Sequence, residues 1–117
     1  MPFSDAAIVL GANAIRSALG AAQLHTGNPG AGGAASKSSA APLVPAWTVV
    51  DANGNFDLAV PLAFTGATPN GPIKYVSLWS TVGGSPVWYG NFQLSGDQTA
   101  DSAGNYTVNS LAVTRTA

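Results

Sequence analysis

From residue 22 onward, period-two hydrophobic runs are cut by clusters of glycine, proline, asparagine and aspartate at roughly ten-residue intervals. That spacing leaves too little chain between strands for the crossovers that parallel pairing requires, so it confines the fold to antiparallel β architecture. The first run, 23–26, ends in Gly27-Asn28-Pro29-Gly30. Residues 46–50 lead into Asp51-Ala52-Asn53-Gly54, and 55–64 alternate through Phe56, Leu58, Val60, Leu62 and Phe64. These two runs read as a hairpin whose second arm is bent at Pro61 or lies at an edge. Beyond Thr68-Pro69-Asn70-Gly71-Pro72, residues 73–80 and 87–94 read as a second hairpin turning at Gly83-Gly84-Ser85-Pro86. In the last run, 105–116, Tyr106, Val108, Ser110 and Ala112 share one face, and Thr107, Asn109, Leu111 and Val113 share the other. No long internal repeat is apparent.

Ahead of the strands the period changes. Ser4 is placed to cap a helix, Asp5 sits at the positive end of its dipole, and Ile8, Ala12, Ile15 and Leu19 recur at helical spacing. About four turns are expected, stopping at Gly20, although Gly11 inside them costs about 0.8–1 kcal/mol relative to alanine. Gly11, Ala14, Ala18 and Ala21 make a face of small residues, suited to covering the sheet or to packing against a neighbouring subunit. The expected organisation is one mainly β domain. An N-terminal helix spans 1–21, and an antiparallel β-sandwich, jelly-roll-like or immunoglobulin-like, spans 22–117. A flexible loop at 27–45 contains the stretch 31–42, which has no apolar anchor larger than alanine before its closing proline and reads as a solvated loop in preference to an arm ordered only by a partner.

Composition narrows the function. Hydrophobic residues make up 46% of the 117 and charged residues 8%, against the ~25% charge usual in a soluble domain. So greasy a chain collapses rather than staying disordered. A net charge of −1 supplies no field to hold a phosphate backbone, so nucleic acid is not an expected partner. The absence of cysteine removes disulfides, thiolate metal sites and cysteine nucleophiles together, leaving packing to stabilise the fold. The most apolar run, 6–22, is interrupted by Asn13, Arg16 and Ser17, short of the ~20 residues a spanning helix needs. It also lacks the basic leader of a cleaved signal peptide. Membrane insertion is not expected.

Residues that carry chemistry are sparse: one histidine and five acidic residues, all aspartate. His25 beside Thr26 could form a relay with a distant aspartate, as in a small hydrolase, but a single histidine before a turn reads first as a structural hydrogen-bonding residue. Zinc lacks further nitrogen or sulfur ligands. Asp51-Ala52-Asn53-Gly54-Asn55-Phe56-Asp57 resembles half a calcium loop, but Phe56 stands where the sharp-turn glycine is needed and Leu62 where the bidentate glutamate is needed. A hairpin turn fits better, there and in the polar stretch from Asp97 to Asp101. Lys37-Ser38 follows Ser36 rather than the glycine a phosphate loop requires. No catalytic, cofactor or metal residue is assigned. Among the aromatic residues, Trp79 and Trp88 are expected to fill the core from paired strands, leaving Tyr89 on the opposite face from Trp88.

Leu24-His25-Thr26-Gly27-Asn28-Pro29-Gly30, followed by a small-residue loop, resembles the Leu-His-Thr-x-Asp-Pro-Gly signature of small virion proteins encoded by tailed phages of actinobacteria. Phe3-Ser4-Asp5-Ala6-Ala7, Ile73-Lys74-Tyr75-Val76-Ser77-Leu78-Trp79, Gly90 and Tyr106-Thr107-Val108 resemble the same family in the same order, so the likeness covers most of the chain. Asn28 departs from the family's aspartate. The resemblance implies a structural component of the virion, assembled in the host cytoplasm and without enzymatic activity. It would be a minor tail, tail-tip or tail-fibre-type protein or, alternatively, a capsid decoration or minor capsid protein.

Scarcity of charge points the same way, because a weakly charged surface is poorly protected against association. A symmetric homo-oligomer is expected, trimeric in a fibre or spike, docked on other virion proteins. Candidate contacts are Ile8, Ala14, Ala18, Ala21, Asn28, Pro29 and Tyr89. A reading from another class is a carbohydrate-binding module that attaches to a host-surface glycan, with Trp47, Trp88 and Tyr89 as the stacking rings.

Overall fold

The computed structural model describes residues 4–114, so Phe3 and the end of the last expected strand, Arg115 and Thr116, lie outside the described residues. One helix, α1 (Asp5–Ala18), precedes five strands: β1 (Ala21–His25), β2 (Leu62–Phe64), β3 (Tyr75–Trp79), β4 (Trp88–Gln93) and β5 (Tyr106–Val108). They form two antiparallel sheets, one ordered β1-β3-β4 and the other β2-β5. The chain is thus mainly β with an N-terminal helix.

The Ser4 hydroxyl caps α1 by accepting from the Ala7 N–H at 3.2 Å. The helix ends three residues earlier than its expected limit. Leu19 caps it, the Gly20 N–H donates to the Trp79 carbonyl at 2.9 Å, and Ala21 already belongs to β1. Sheet pairing with β3 therefore overrides the helical preference of the alanines. Only Ala12 of α1 is buried. The helix is tied down by Arg16, whose guanidinium donates to the Thr48 carbonyl at 2.7 Å and the Trp47 carbonyl at 3.0 Å.

On the larger sheet, the register pairs Ala22 with Leu78 and Leu24 with Val76, all at most 2% exposed. These face a core completed by Leu62, Phe64, Tyr106 and Val108 from the smaller sheet and by Trp47, Phe56, Leu58, Ile73 and Leu111 from the connections. Phe56 meets the Trp47 ring edge-on at 5.3 Å, and the Trp47 indole N–H donates to the Leu19 carbonyl at 3.1 Å.

The second expected hairpin forms as β3 and β4, but the first is reorganised. Residues 46–50 and 55–59 do pair, through the Trp47–Leu58 bridge and the bonds from Thr48 N to Asp57 O and Ala59 N to Ala46 O, each 2.8 Å. Past Pro61 the same run leaves its neighbour, and β2 pairs with β5 alone. The last strand is interrupted as well. Tyr106 and Val108 point inward, but Ser110 and Ala112, expected on the same face, are exposed while Leu111 from the other face is buried. The cause is Asp57, whose carboxylate accepts from Leu58 N (2.6 Å), Leu111 N (2.7 Å) and Ser110 Oγ (2.6 Å). That pin inserts a one-residue slip between the Leu62–Val108 and Phe56–Val113 pairings and turns the following side chains over.

A short repeat, invisible to a scan for long periods, appears in the turns. Asp51 N donates to Asn55 O, Gly54 N donates to Asp51 O, and the Asp51 Oδ1 accepts from Asn53 N and Asn55 N. Asp101, Ala103, Gly104 and Asn105 repeat every one of these bonds. Gly54 and Gly104 have φ of 82° and 80°, a conformation that penalises any β-carbon. Both segments are tight turns whose aspartate is committed to main-chain N–H groups, but only the first joins two arms that pair with each other.

Candidate functional site

The second face of the larger sheet holds its chemistry. Ala21, Gln23 and His25 of β1 lie there beside Trp79, Ser77 and Tyr75 of β3. Gln23, His25 and Ser77 are buried, the last two with no exposed surface. Polar groups survive burial only when their bonds are made, and the segment expected to be a free loop makes them. Residues 36–43 run antiparallel along the edge of β1, bridging Lys37 to His25 and Leu43 to Ala22. Thr26 N donates to Ser36 O, Ser38 N to Leu24 O, and Ala22 and Leu43 exchange bonds of 2.8 and 3.0 Å. Between the two bridges the segment bulges, and the Gln23 amide fills the gap by donating to the Ala40 carbonyl at 3.1 Å. The flexible loop 27–45 is therefore corrected to a strap: small side chains let its backbone lie close to the sheet and satisfy the polar face.

His25 is the centre of that closure. Nδ1 lies 2.8 Å from the Ala35 carbonyl and Nε2 lies 2.6 Å from Ser77 Oγ, which also accepts from the Trp79 indole N–H at 2.7 Å. A carbonyl can only accept, so Nδ1 carries the proton and Ser77 donates to Nε2. Burial lowers the His25 pKa below its ordinary 6.5. Main-chain contacts at Ala35 and Ser36 oppose the shift, and the charge of Lys37 adds to it. A Ser–His contact this short has the form of a nucleophile and its base. Here, though, both groups are sealed, the orienting partner is a carbonyl instead of the aspartate expected of a relay, and the hydroxyl already serves Trp79. The chain of bonds braces the strap against the sheet.

The motif around His25 is a clamp throughout. Asn28 Oδ1 accepts from Gly30 N at 2.8 Å, the Pro29 ring is buried, and its carbonyl accepts from Ala35 N at 3.1 Å. An aspartate oxygen would accept from Gly30 equally well, so asparagine at 28 keeps the turn. The strap continues over β4. Asn91 donates to the Gly30 carbonyl at 3.0 Å and accepts from the Trp88 indole N–H at 3.0 Å, while Gly33 lies directly against the Trp88 ring. The Lys37 ammonium sits 5.4 Å from the centre of the Trp79 ring. Trp79 and Trp88 are thus half-buried beneath the strap, not in the core as expected.

Several candidate contacts are withdrawn by these placements. Trp47 is in the core, held by Phe56 and Leu19, and offers no face to a sugar. Ala21 and Pro29 are buried by sheet and strap. Ile8 is half-buried and lies against Gly54, and Ala18 is half-buried. Ala14, Asn28 and Tyr89 are exposed, on three separate elements: the helix, the strap turn and β4. Sequence reasoning missed the anchoring by Arg16, the Asp57 pin and the role of Ser77, because each acts on a group distant in the chain.

A cleft of about 610 Å³ lies between the end of β4 and the 95–112 segment. Phe92, Leu94 and Leu111 supply apolar walls, and Asp97, Asn109 and Ser110 supply polar ones. The Tyr106 hydroxyl donates to the Asp97 carbonyl beside it, and burial with the Asp97 charge raises the tyrosine pKa above 10. Among the described residues, no group of three or more histidine, cysteine or acidic side chains is placed to hold a metal, and no helix is long and apolar enough to cross a membrane. Comparison with known proteins returned no matching family model, curated protein or solved structure.

Proposed function

We propose that this chain is a structural component of a tailed-phage virion, acting through assembly contacts with copies of itself and with other particle proteins, at the tail or tail tip in preference to the capsid. One observation carries the reading. A chain with only 8% charged residues leaves Leu10, Ile15, Val44, Val49, Val60, Val82, Val87 and Tyr89 exposed, Leu10 at 72% and Val49 at 81%. Scattered apolar residues are ordinary on a well-charged surface, but here few charges separate them. The ordered motif resemblance supports the same assignment, and the strand spacing supports a sandwich of the two sheets as its architecture.

Light scattering across a concentration series, paired with mass spectrometry of purified particles, tests the assignment. Stable oligomers and stoichiometric presence in the particle are expected. A monomer at high concentration that is also missing from particles overturns it.

A further inference from the structure

The two edges of the larger sheet are treated differently by the chain. The β1 edge is covered by residues 36–43, whereas β4 is the outermost strand on the other side. In the β3–β4 ladder, the Leu94 N–H donates to Lys74 O at 2.8 Å, and Val76–Phe92 and Leu78–Gly90 follow in the same phase. Antiparallel alternation then turns the main-chain N–H and C=O groups of Asn91 and Gln93 away from β3. Soluble proteins blunt such an edge with lysine, proline or inward charge. Here no charged residue occurs anywhere from Tyr75 to Gly96, and β4 itself contains neither proline nor charge. The side-chain bonds of Asn91 to Trp88 and Gly30 hold the strand from the strap side and leave its main-chain edge free of side-chain caps among the described residues.

We infer that β4 pairs with β4 of a second copy of this chain about a two-fold axis, making one six-stranded antiparallel sheet. A second copy is the occupant favoured by charge: self-pairing brings every residue against its own kind or a near neighbour, and a charge-free strand is the case in which no like charges meet. With Asn91 on the axis, the outward-turned groups register, and Tyr89, half exposed, lies opposite Gln93 of the partner subunit. This specifies the self-association in the assembly reading above and rests on it. A dimer becomes the unit that docks on the particle.

The test uses the full chain and two double variants. Tyr89→Lys with Gln93→Lys sets lysines opposite each other twice and should weaken dimerisation by about ten-fold or more. Tyr89→Lys with Gln93→Glu sets opposite charges in the same register and should restore it. Amide exchange at Asn91 and Gln93 should be slow in the wild-type dimer and fast in the dilysine variant, while β3 amides stay protected in both. An oligomer unaffected by either change overturns edge pairing and leaves the assembly reading standing. A wild-type chain that stays monomeric also overturns edge pairing, and the assembly reading then depends on presence in purified particles. Loss in both variants without rescue overturns the register.

Discussion

Replacing Ser77 with alanine isolates the polar closure beneath the strap. The side chain has no exposed surface, and its hydroxyl accepts from Trp79 and donates to His25. Removal leaves the His25 Nε2 lone pair buried without a partner, a loss of about 1–3 kcal/mol for one orphaned group. The Trp79 N–H is half-buried and recovers part of its bond from water, so its share is smaller. Together the substitution should cost about 2–4 kcal/mol, a large fraction of the roughly 5–15 kcal/mol that holds a domain of this size. Urea unfolding at pH 7.5 should show the midpoint fall at unchanged m-value, with a thermal midpoint about 10 °C lower or more. Imidazole nitrogen shifts in the wild type should report Nδ1 as the protonated atom. A loss below about 0.5 kcal/mol, or a proton on Nε2, refutes the closure as a stabilising element.

Three further outcomes follow from the same geometry. Because the His25 pKa is lowered, the unfolded chain takes up a proton first as pH falls. Stability is therefore full above about 6.5 and declines below it toward the lowered folded value, at a slope of at most about 1.4 kcal/mol per pH unit; denaturant midpoints across pH 4.5–8 should show the decline in wild type and lose it in His25→Gln. Asp57→Ala removes two bonds joining the 46–59 hairpin to Ser110 and Leu111, and a third to Leu58 within the hairpin, and should cost about 2–3 kcal/mol, discounted for its partial exposure. Burial raises the Asp57 pKa, but bonds from Ser110, Leu58 and Leu111 outweigh it and hold the carboxyl below its ordinary 3.8, so its contribution is present above that pH and lost as acid protonates it. Gly33→Ala forces a β-carbon into φ of 70° and against Trp88, so it should cost about 1–2 kcal/mol or more and shift tryptophan emission to longer wavelength as the ring is released.

Local signals in the sequence located the helix cap, the hairpin turn at Asp51 and the β3–β4 pair, because each is decided by residues a few positions apart. What they missed was decided at a distance. The run through Phe56, Leu58 and Phe64 alternates without a break, yet Pro61 divides it between two partners and Asp57 slips the strand opposite, choices set by residues some fifty positions away. The strap is the sharper case. Residues 31–42 carry no apolar anchor, and composition alone reads them as solvent-bound. Their order comes from main-chain bonds to β1 and from a buried polar face that needs acceptors, neither of which leaves a hydrophobic pattern. The resemblance motif held that information in another form. Leu24 faces the core, His25 clamps Ala35, Thr26 bonds Ser36, and Asn28 and Pro29 shape the turn between them. Most of the residues of the 24–30 segment are therefore spent on folding the strap. The proposed contact with a second copy is assigned instead to the uncharged outer strand, where composition is informative and a motif search is silent.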